Sequence, residues 1–354
     1  MLRTTCCLAL LACTAPTSGP DAAGEPDAPP ADAGSPMAPS PNVIATLTQD
    51  FGPLSVASGE ERTNDCVAWS LGNEAPLWVS AVRFEATPGI HHSNWFHVRP
   101  ATFPGPDGIF RCRDRGFDSV TAATAGGVLF AQSTQTTRED QSFPSGTALR
   151  LPPDAVVVAD LHLLNTTPED LEVEIHMEID LVAAETVTTR LRGMAFDYLD
   201  LRLPPRMRSE FSMNCDFAQA IGGPIDFKIY YALPHYHELG VGMRLELIGG
   251  ERDGEILWES FSPIGEPWGE TFDPPLDPRG ATGLRVSCVY DNPRDEVVQY
   301  GIGDQEMCLM LAFTDSRYIW AGGNLERGVG EEVSVADGVS RNEAPCQMYP
   351  VPGR

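Results

Sequence analysis

The sequence LPHYHELG (residues 233–240) places two histidines one residue apart at the head of an alternating run. Because successive side chains of a β-strand point to opposite faces, His235 and His237 share a face with Leu239 and with the apolar positions that follow to Leu247. Two imidazoles on one strand face can bind a single metal ion. They can equally be core histidines that are hydrogen-bonded to backbone carbonyls, so this stretch alone leaves both interpretations open.

Short runs with alternating or β-branched residues recur along the chain, separated by Gly, Pro, Asn and Asp. This pattern is typical of strands and turns, and no long run carries the 3.6-residue repeat of an amphipathic helix. We therefore predict an all-β fold of antiparallel, jelly-roll-like β-sandwiches. The pattern restarts near residue 190, which predicts two tandem domains, residues 43–191 and 192–354. The predicted strands include residues 66–71, 77–84, 155–164, 171–182, 198–203, 209–215, 226–233, 239–248, 284–290 and 307–313.

The N-terminal residues are typical of a protein that leaves the cytoplasm. A single arginine precedes a short apolar run, too short to span a bilayer, and a tract rich in Pro and Ala follows. Residues 1–13 therefore predict a signal of the bacterial lipoprotein type with Cys13 as the lipidated residue, and ordinary secretion is the alternative. Residues 14–42 predict a disordered tether, because they hold too few apolar side chains to fold. The predicted location is the outer membrane, the cell surface, the periplasm or the medium.

The charge of the chain excludes two classes of partner. Its 354 residues hold 50 Asp and Glu against 24 Lys and Arg, a formal net charge of −26. Nucleic acid and anionic membrane surfaces repel such a chain, and the sequence shows no local basic patch. We expect no nucleic-acid partner, and membrane contact only through a lipid anchor.

Six of the nine cysteines lie outside the predicted signal. An even number of cysteines in an exported chain predicts disulfide bonds, and the absence of a C-x-x-C pair disfavours a thiolate zinc site. The six are Cys66, Cys112, Cys215, Cys288, Cys308 and Cys346.

Three histidines of the first predicted domain occupy positions that suit a metal site. His91 and His92 follow a Pro-Gly turn. Because adjacent residues of a regular strand point apart, both can bind one metal only at a strand end or in a loop. His162 shares a strand face with Asp160, whose carboxylate could orient the imidazole.

Two other histidines are weaker candidates. His176 lies in line with glutamates, which predicts that it faces solvent. His97 is close in sequence to His91 and His92, and we interpret it as a bystander.

A methionine supplies the last candidate ligand. Met307 follows Glu306, and a thioether combined with imidazole favours copper over zinc or magnesium. Most methionines fill cores, and along a strand only one of Met307 and Met310 can share the face of Leu309. Met310, on the Cys308 face, is the one expected in the core.

Four short motifs, in this order, resemble one family of enzymes. GIHH (89–92) with Phe96, DLH (160–162), HYHELG (235–240) and EMC (306–308) are similar to the ligand motifs of the copper type II, ascorbate-dependent monooxygenases. That family includes peptidylglycine α-hydroxylating monooxygenase and dopamine β-monooxygenase. Four motifs in order, within an exported cysteine-paired β chain, form a strong signal.

The resemblance implies two copper ions per chain, one in each of two domains that face each other across a solvent-filled cleft. One copper would pass an electron and the other would meet O2, and an ascorbate-type reductant would load both. A thioether stabilises Cu(I), which must react with O2, while three imidazoles suit electron transfer. The implied reaction hydroxylates a C–H bond and releases water. The implied ligands are His91, His92 and His162 for electron transfer, and His235, His237 and Met307 for the catalytic copper.

The resemblance also implies how the cysteines pair. The last of the implied disulfides would fix the strand that presents the methionine ligand. The pairs are Cys66 with Cys112, Cys215 with Cys346, and Cys288 with Cys308.

Three positions depart from the family. The peptide-amidating branch anchors a substrate carboxylate with an arginine and a tyrosine where this chain has Leu233 and Leu311. A peptide C-terminus therefore has no evident partner here. The same branch has a glutamine where this chain has Asp160, which puts an electron route through that side chain in doubt.

The leading hypothesis is an exported copper monooxygenase that acts on a small-molecule substrate with O2 and a reductant. A non-catalytic copper-binding or surface lipoprotein is the main alternative, and an adhesin-like β-sandwich with structural histidines is a third. All six ligands are present, which favours the enzyme, because a copper carrier needs only one site.

Overall fold

The computed structural model describes residues 42–132, 136–262, 268–301, 304–324 and 326–353. The predicted signal with Cys13, and the predicted tether up to residue 41, lie outside the described residues. No helix within the described ranges is long and apolar enough to cross a membrane.

The described chain is built almost entirely of β-strands, which confirms the all-β prediction. Its alternating runs form strands because one face can be buried: in β10 (Leu171–Val182), Val173, Ile175 and Met177 are buried and the residues between them are not. The helical elements are α1 (Ser119–Ala125), α2 (Phe217–Ile221) and 3-10 turns at Cys112–Arg115 and Ala184–Thr186. The other strands before residue 189 are β1 (Val43–Val56), β2 (Glu61–Ser70), β3 (Leu77–Ala86), β4 (Ile90–Val98), β5 (Gly108–Arg111), β6 (Gly127–Gln132), β7 (Arg138–Ser142), β8 (Thr147–Leu151) and β9 (Val156–Leu164). The later strands are β11 (Thr189–Tyr198), β12 (Arg202–Leu203), β13 (Met207–Asp216), β14 (Ile229–His235), β15 (Gly240–Ile248), β16 (Ile256–Phe261), β17 (Glu270–Leu276), β18 (Gly283–Asn292), β19 (Val298–Gln299), β20 (Leu309–Thr314), β21 (Tyr318–Asn324), β22 (Glu331–Ala336), β23 (Val339–Pro345) and β24 (Gln347–Pro352).

Two packed sheets form the N-terminal half. One sheet has the order β5-β2-β9-β4-β6, and the other contains β1-β10-β3-β8. A single apolar core holds them together, with Trp95 and Val157 from the first sheet and Phe84 and Ile175 from the second. This is the sandwich arrangement that the alternating pattern predicts.

A second sandwich forms the C-terminal half. The sheet β16-β15-β18-β13-β23-β22 packs on β11, β20, β14 and β21. Their shared core contains Phe211 and Met243 from the six-stranded sheet and Phe196, Met310 and Trp320 from the other. The two sandwiches together give the jelly-roll-like architecture expected from the sequence.

Strand β11 belongs to both halves. Residues 189–191 pair in parallel with β8, and residues 192–197 pair antiparallel with β20. The two halves therefore contribute to one eleven-stranded sheet. The domain boundary predicted between residues 191 and 192 falls inside this continuous strand.

The strand predicted over residues 198–203 is wrong, because β11 ends at Tyr198 and only Arg202 and Leu203 form the short β12. After Tyr198 the backbone N–H of Leu199 donates to Asn324 O at 3.1 Å. The carboxylate of Asp200 then accepts two backbone N–H groups, at 2.8 and 2.7 Å, from the loop that follows β21. These bonds turn the chain away from the sheet.

Three disulfides join distant parts of the chain. Their pairing is the one that the resemblance implies. The bonds are Cys66–Cys112, Cys215–Cys346 and Cys288–Cys308.

Candidate metal centre

The first histidine group lies on two neighbouring strands. β4 and β9 pair antiparallel, with His92 directly opposite His162, and an irregularity in register separates Ile90 from His92. That irregularity, at the start of β4, lets the adjacent His91 and His92 serve one site. One ligand atom from each of the three histidines lies within 4.8 Å of the others.

The second group lies where β14 ends. His235 is the last residue of β14, and His237 lies in the turn before β15. The single strand face expected from residue 235 to 247 is therefore interrupted. The cause is Glu306, whose carboxylate accepts the backbone N–H groups of His237 at 2.9 Å and Leu239 at 2.7 Å. The two rings still lie close, with centroids 5.4 Å apart.

The two groups meet in one cluster. The ring centroids of His91 and His237 are 5.5 Å apart, and those of His92 and His235 are 5.2 Å apart. His92 is partly buried and the other four are buried. The resemblance implies a solvent-filled cleft between two separate sites, whereas these rings are in contact.

The cluster contains several buried nitrogens that have no hydrogen-bond partner among the described residues. Buried polar atoms without partners are costly, and imidazole nitrogens that converge are suited to a soft or borderline metal cation. The arrangement therefore fits copper. These atoms are Nδ1 and Nε2 of His91, Nδ1 of His92, Nδ1 of His162 and Nε2 of His237.

The imidazoles are neutral at physiological pH, as metal ligation requires. Burial, together with His162 and His237, lowers the pKa of His91 to about 3. Burial and the neighbouring histidines also hold the pKa values of His92 and His235 well below their usual range.

Hydrogen bonds fix which ring nitrogen each group presents. His162 Nε2 lies 2.8 Å from Glu61 Oε1, so the Nε2 proton is donated there and Nδ1 is left with its lone pair. His237 Nδ1 donates to Gln305 O at 2.8 Å, which leaves Nε2. His162 thus offers Nδ1 to a metal, and His237 offers Nε2.

Glu61, and not Asp160, is the carboxylate that orients His162. Asp160 is hydrogen-bonded to Asn94 at 3.4 Å, and burial raises its pKa to about 6. Glu61 lies 101 residues before His162 and reaches it only because β2 pairs with β9. No local sequence signal marks this partner.

Met307 lies two residues before β20, the strand that pairs with the end of β14. The last pair in that register sets His235 opposite Leu309. The hydroxyl of Tyr290 donates to Met307 O, and the adjacent Cys308 is disulfide-bonded. Its role as a ligand stays a prediction.

Met310 is a core residue, as its strand parity predicts. It is fully buried in the apolar core of the second sandwich, beside Phe196 and Ala312. It therefore lies on the sheet face opposite to His235.

Glu306 is a further site residue that the sequence analysis missed. Its carboxylate is buried, and burial raises its pKa to about 7 against the opposing effect of the backbone donors of Leu239, His237 and Met307. The sequence shows Glu306 next to the methionine in EMC, but nothing in it indicates that the carboxylate binds the backbone of the turn that carries His237.

The two remaining histidines lie outside the cluster. His176 is partly exposed and lies 2.6 Å from Asp50, which confirms its predicted place at the surface. His97 is buried toward the other end of β4, next to Gly127.

Comparisons with known proteins give a weak likeness of fold. No protein-family model matches the chain, and no curated protein matches it. Among solved structures it is similar to the major capsid protein P2 from bacteriophage PM2, at 8% identity and a TM-score of 0.31 over 76% of this chain and 97% of that one. It is also similar to the cowpea mosaic virus top component, at 8% identity and a TM-score of 0.33 over 77% and 89%. Likenesses this weak carry no inference about function.

Proposed function

We propose that this protein is an exported copper-dependent monooxygenase that hydroxylates a C–H bond of a small molecule with O2 and an ascorbate-type reductant. The observation that carries the proposal is the set of unpartnered, buried imidazole nitrogens contributed by both halves. His91, His92 and His162 would hold one copper. His235, His237 and Met307 would hold the other.

Copper bound there would supply one-electron redox chemistry and a place for O2 to react. The chain itself orients the ligands. Glu61 fixes the ring of His162 and raises its basicity, because a carboxylate acceptor draws on the Nε2 proton. Gln305 and Glu306 hold the ring and backbone of His237. Burial of the cluster excludes bulk water.

The substrate is not expected to carry a peptide carboxylate. Leu233 and Leu311, which stand where the peptide-amidating branch has its arginine and tyrosine, are buried in an apolar core. No cation is available at these positions. Three disulfides support an oxidising, exported location.

Metal analysis tests the proposal. The purified protein should bind about two coppers per chain, and His162→Ala should remove one while the other remains. His176→Ala, at the surface, is the matched control and should leave both. One copper in the unmodified protein would contradict the two-site assignment.

A copper-binding protein without turnover is the second candidate. It is favoured by the contact between the two groups of rings, which leaves the cluster closed to a large substrate. Oxygen consumption separates the two. Reduced, copper-loaded enzyme should take up O2 faster when a metabolite mixture contains its substrate, and a product heavier by one oxygen should appear; a carrier would show neither.

A further inference from the structure

A small cleft lies where β8 and β11 run side by side, remote from the histidine cluster along β4. It opens between the two halves of the molecule. Its polar lining consists of Arg150 from β8, Arg190 and Arg192 from β11, and His97 from β4. We call it the seam cleft.

The seam cleft concentrates positive charge in a strongly acidic chain. The parallel register sets Arg190 beside Ala148 and ends at Leu191 and Leu149, the residues that Arg192 and Arg150 directly follow. None of the described residues that line the cleft is acidic, although the chain has 50 Asp and Glu. Burial, followed by Arg192 and Arg150, lowers the pKa of Arg190 to about 10. The guanidinium groups of Arg192 and Arg150 therefore repel that of Arg190.

Two buried nitrogens in the cleft have no hydrogen-bond partner among the described residues. They are Nε of Arg192 and Nδ1 of His97, whose side chain is more than nine-tenths buried. Burial, and then Arg190, lower the pKa of His97 to about 4, so the ring is neutral. Gly127 makes room for that ring, because a Cβ atom there would come within 2.6 Å of Nε2.

An anion site needs positive charges and hydrogen-bond donors that have no partner in the protein, and the arginines of this cleft supply both. The guanidinium of Arg150 makes no hydrogen bond or ion pair to the described part of the chain, so it is available to an incoming ligand. We propose that the seam cleft binds a small oxyanion, a carboxylate or a phosphate group, held by Arg150, Arg192 and His97. The bound anion also screens the repulsion between β8 and β11, so it stabilises the junction of the two halves.

Thermal unfolding and calorimetry of the purified protein test this site. Sodium phosphate and sodium acetate are titrated separately at constant ionic strength, with sodium chloride as the balancing salt. Wild-type protein should show saturable heat and a saturable rise in Tm with at least one of them, because a ligand that binds only the folded state stabilises it. The anion that gives the lower Kd identifies the group as phosphate or carboxylate.

Arg150→Gln should weaken that Kd at least tenfold, whereas Arg150→Lys, which keeps the charge, should weaken it less. In chloride alone, Arg150→Gln should leave Tm unchanged or raise it, because one of three repelling charges is gone. In saturating anion its Tm should fall below that of wild type. Arg208→Gln, at an exposed position of β13 outside the cleft, is the control and should respond to the anion as wild type does.

Two results would overturn the proposal. One is the absence of saturable binding of either anion to wild-type protein. The other is an equal response of wild type, Arg150→Gln and Arg208→Gln, which would show a general salt effect. If Arg150→Gln is too unstable to measure, Arg192→Gln with the same two titrations gives the answer.

Discussion

The two histidine groups are held in place by different means. His92 and His162 lie opposite each other in an antiparallel pair, and an irregularity in its register brings the adjacent His91 to the same site. The second group lies at a strand end and a turn, where the buried carboxylate of Glu306 holds the backbone of His237. The first group presents Nδ1 of His162 and the second presents Nε2 of His237.

Because of this difference, the two histidine groups should be sensitive to substitution at different residues. The first depends on hydrogen bonds of a sheet that the whole half supports, and its one oriented ring relies on the partly exposed Glu61. The second depends on a single carboxylate from a segment almost 70 residues away in sequence. We therefore expect single substitutions to damage the second group more than the first.

Removal of the Glu306 carboxylate should have the largest effect. Glu306→Ala leaves the backbone N–H groups of His237 and Leu239 buried without an acceptor, which should cost about 3 kcal/mol of unfolding free energy. The copper of the second group should be lost while the first is retained. Urea unfolding and metal analysis measure both effects. Glu238→Ala, at an exposed neighbouring position, should change neither, and equal loss of both coppers would contradict the comparison.

A partly buried acid near the second group should contribute to the pH dependence of stability. Leu309 pairs with both His235 and Asp197, and burial raises the pKa of Asp197 to about 7 against the hydrogen bond from Tyr300. Between pH 4 and 7 the folded protein keeps a proton that the unfolded chain releases. The contribution of Asp197 to the unfolding free energy of copper-free protein should therefore fall as pH rises, by at most about 1.4 kcal/mol per pH unit, whereas the buried histidines with lowered pKa values contribute in the opposite direction.

Asp197→Asn should remove this contribution, so wild type should gain stability relative to Asp197→Asn as pH falls from 7 to 4, as measured by urea unfolding at several pH values. Asp226→Asn, at an exposed position, should leave it unchanged. A stability difference between wild type and Asp197→Asn that does not change with pH would contradict this assignment.

Loss of the Glu61 charge should weaken the first group selectively. Glu61→Gln removes the carboxylate that accepts from His162 Nε2, and copper affinity there should fall about 10- to 100-fold. Competition with a chelator measures the affinity of each site. Stability should hardly change, because Glu61 is partly exposed, and Glu74→Gln at the surface should leave both affinities unaltered. If Glu61→Gln instead lowered copper affinity only at the second site, the assignment of His162 to the first site would be wrong.

The smallest effect separates two methionines. Met310→Leu conserves volume in the core and should cost under about 1.5 kcal/mol without touching copper. Met307→Leu should be just as mild for the fold but should remove the copper–sulfur signal from X-ray absorption of the reduced protein. If the sulfur signal survives Met307→Leu and is lost in Met310→Leu, Met310 is the copper ligand and the assignment of Met307 is wrong.

Local patterns in the sequence predicted most of the strands and indicated which histidines lie together, because alternation and turn residues act over a few positions. The parity of Met310 followed from the same local rule. The contact between Glu61 and His162 was not predicted, because it joins residues 101 positions apart and depends on strand pairing. The predicted strand over residues 198–203 was wrong for the same reason. The hydrogen bonds that turn the chain away after β11 come from a loop about 130 residues later.

Contact between the two histidine groups was also beyond local patterns. Each motif indicates its own ligands, but the distance between His91 and His237 depends on how the two sandwiches share a sheet. Arg150 joins Arg190 and Arg192, about 40 residues later in the sequence, at the seam cleft for the same reason.

Because β11 completes a sheet in each half, neither half is a natural unit for recombinant expression. A fragment that stops at residue 191 would pair β8 with a stub of three residues whose continuation has been cut away. A fragment that starts at residue 192 would lose the same junction from the other side. Unprotected strand edges recruit further chains, so both fragments should tend to aggregate. A truncation meant to isolate one copper site would thus be better replaced by point substitutions within the full chain.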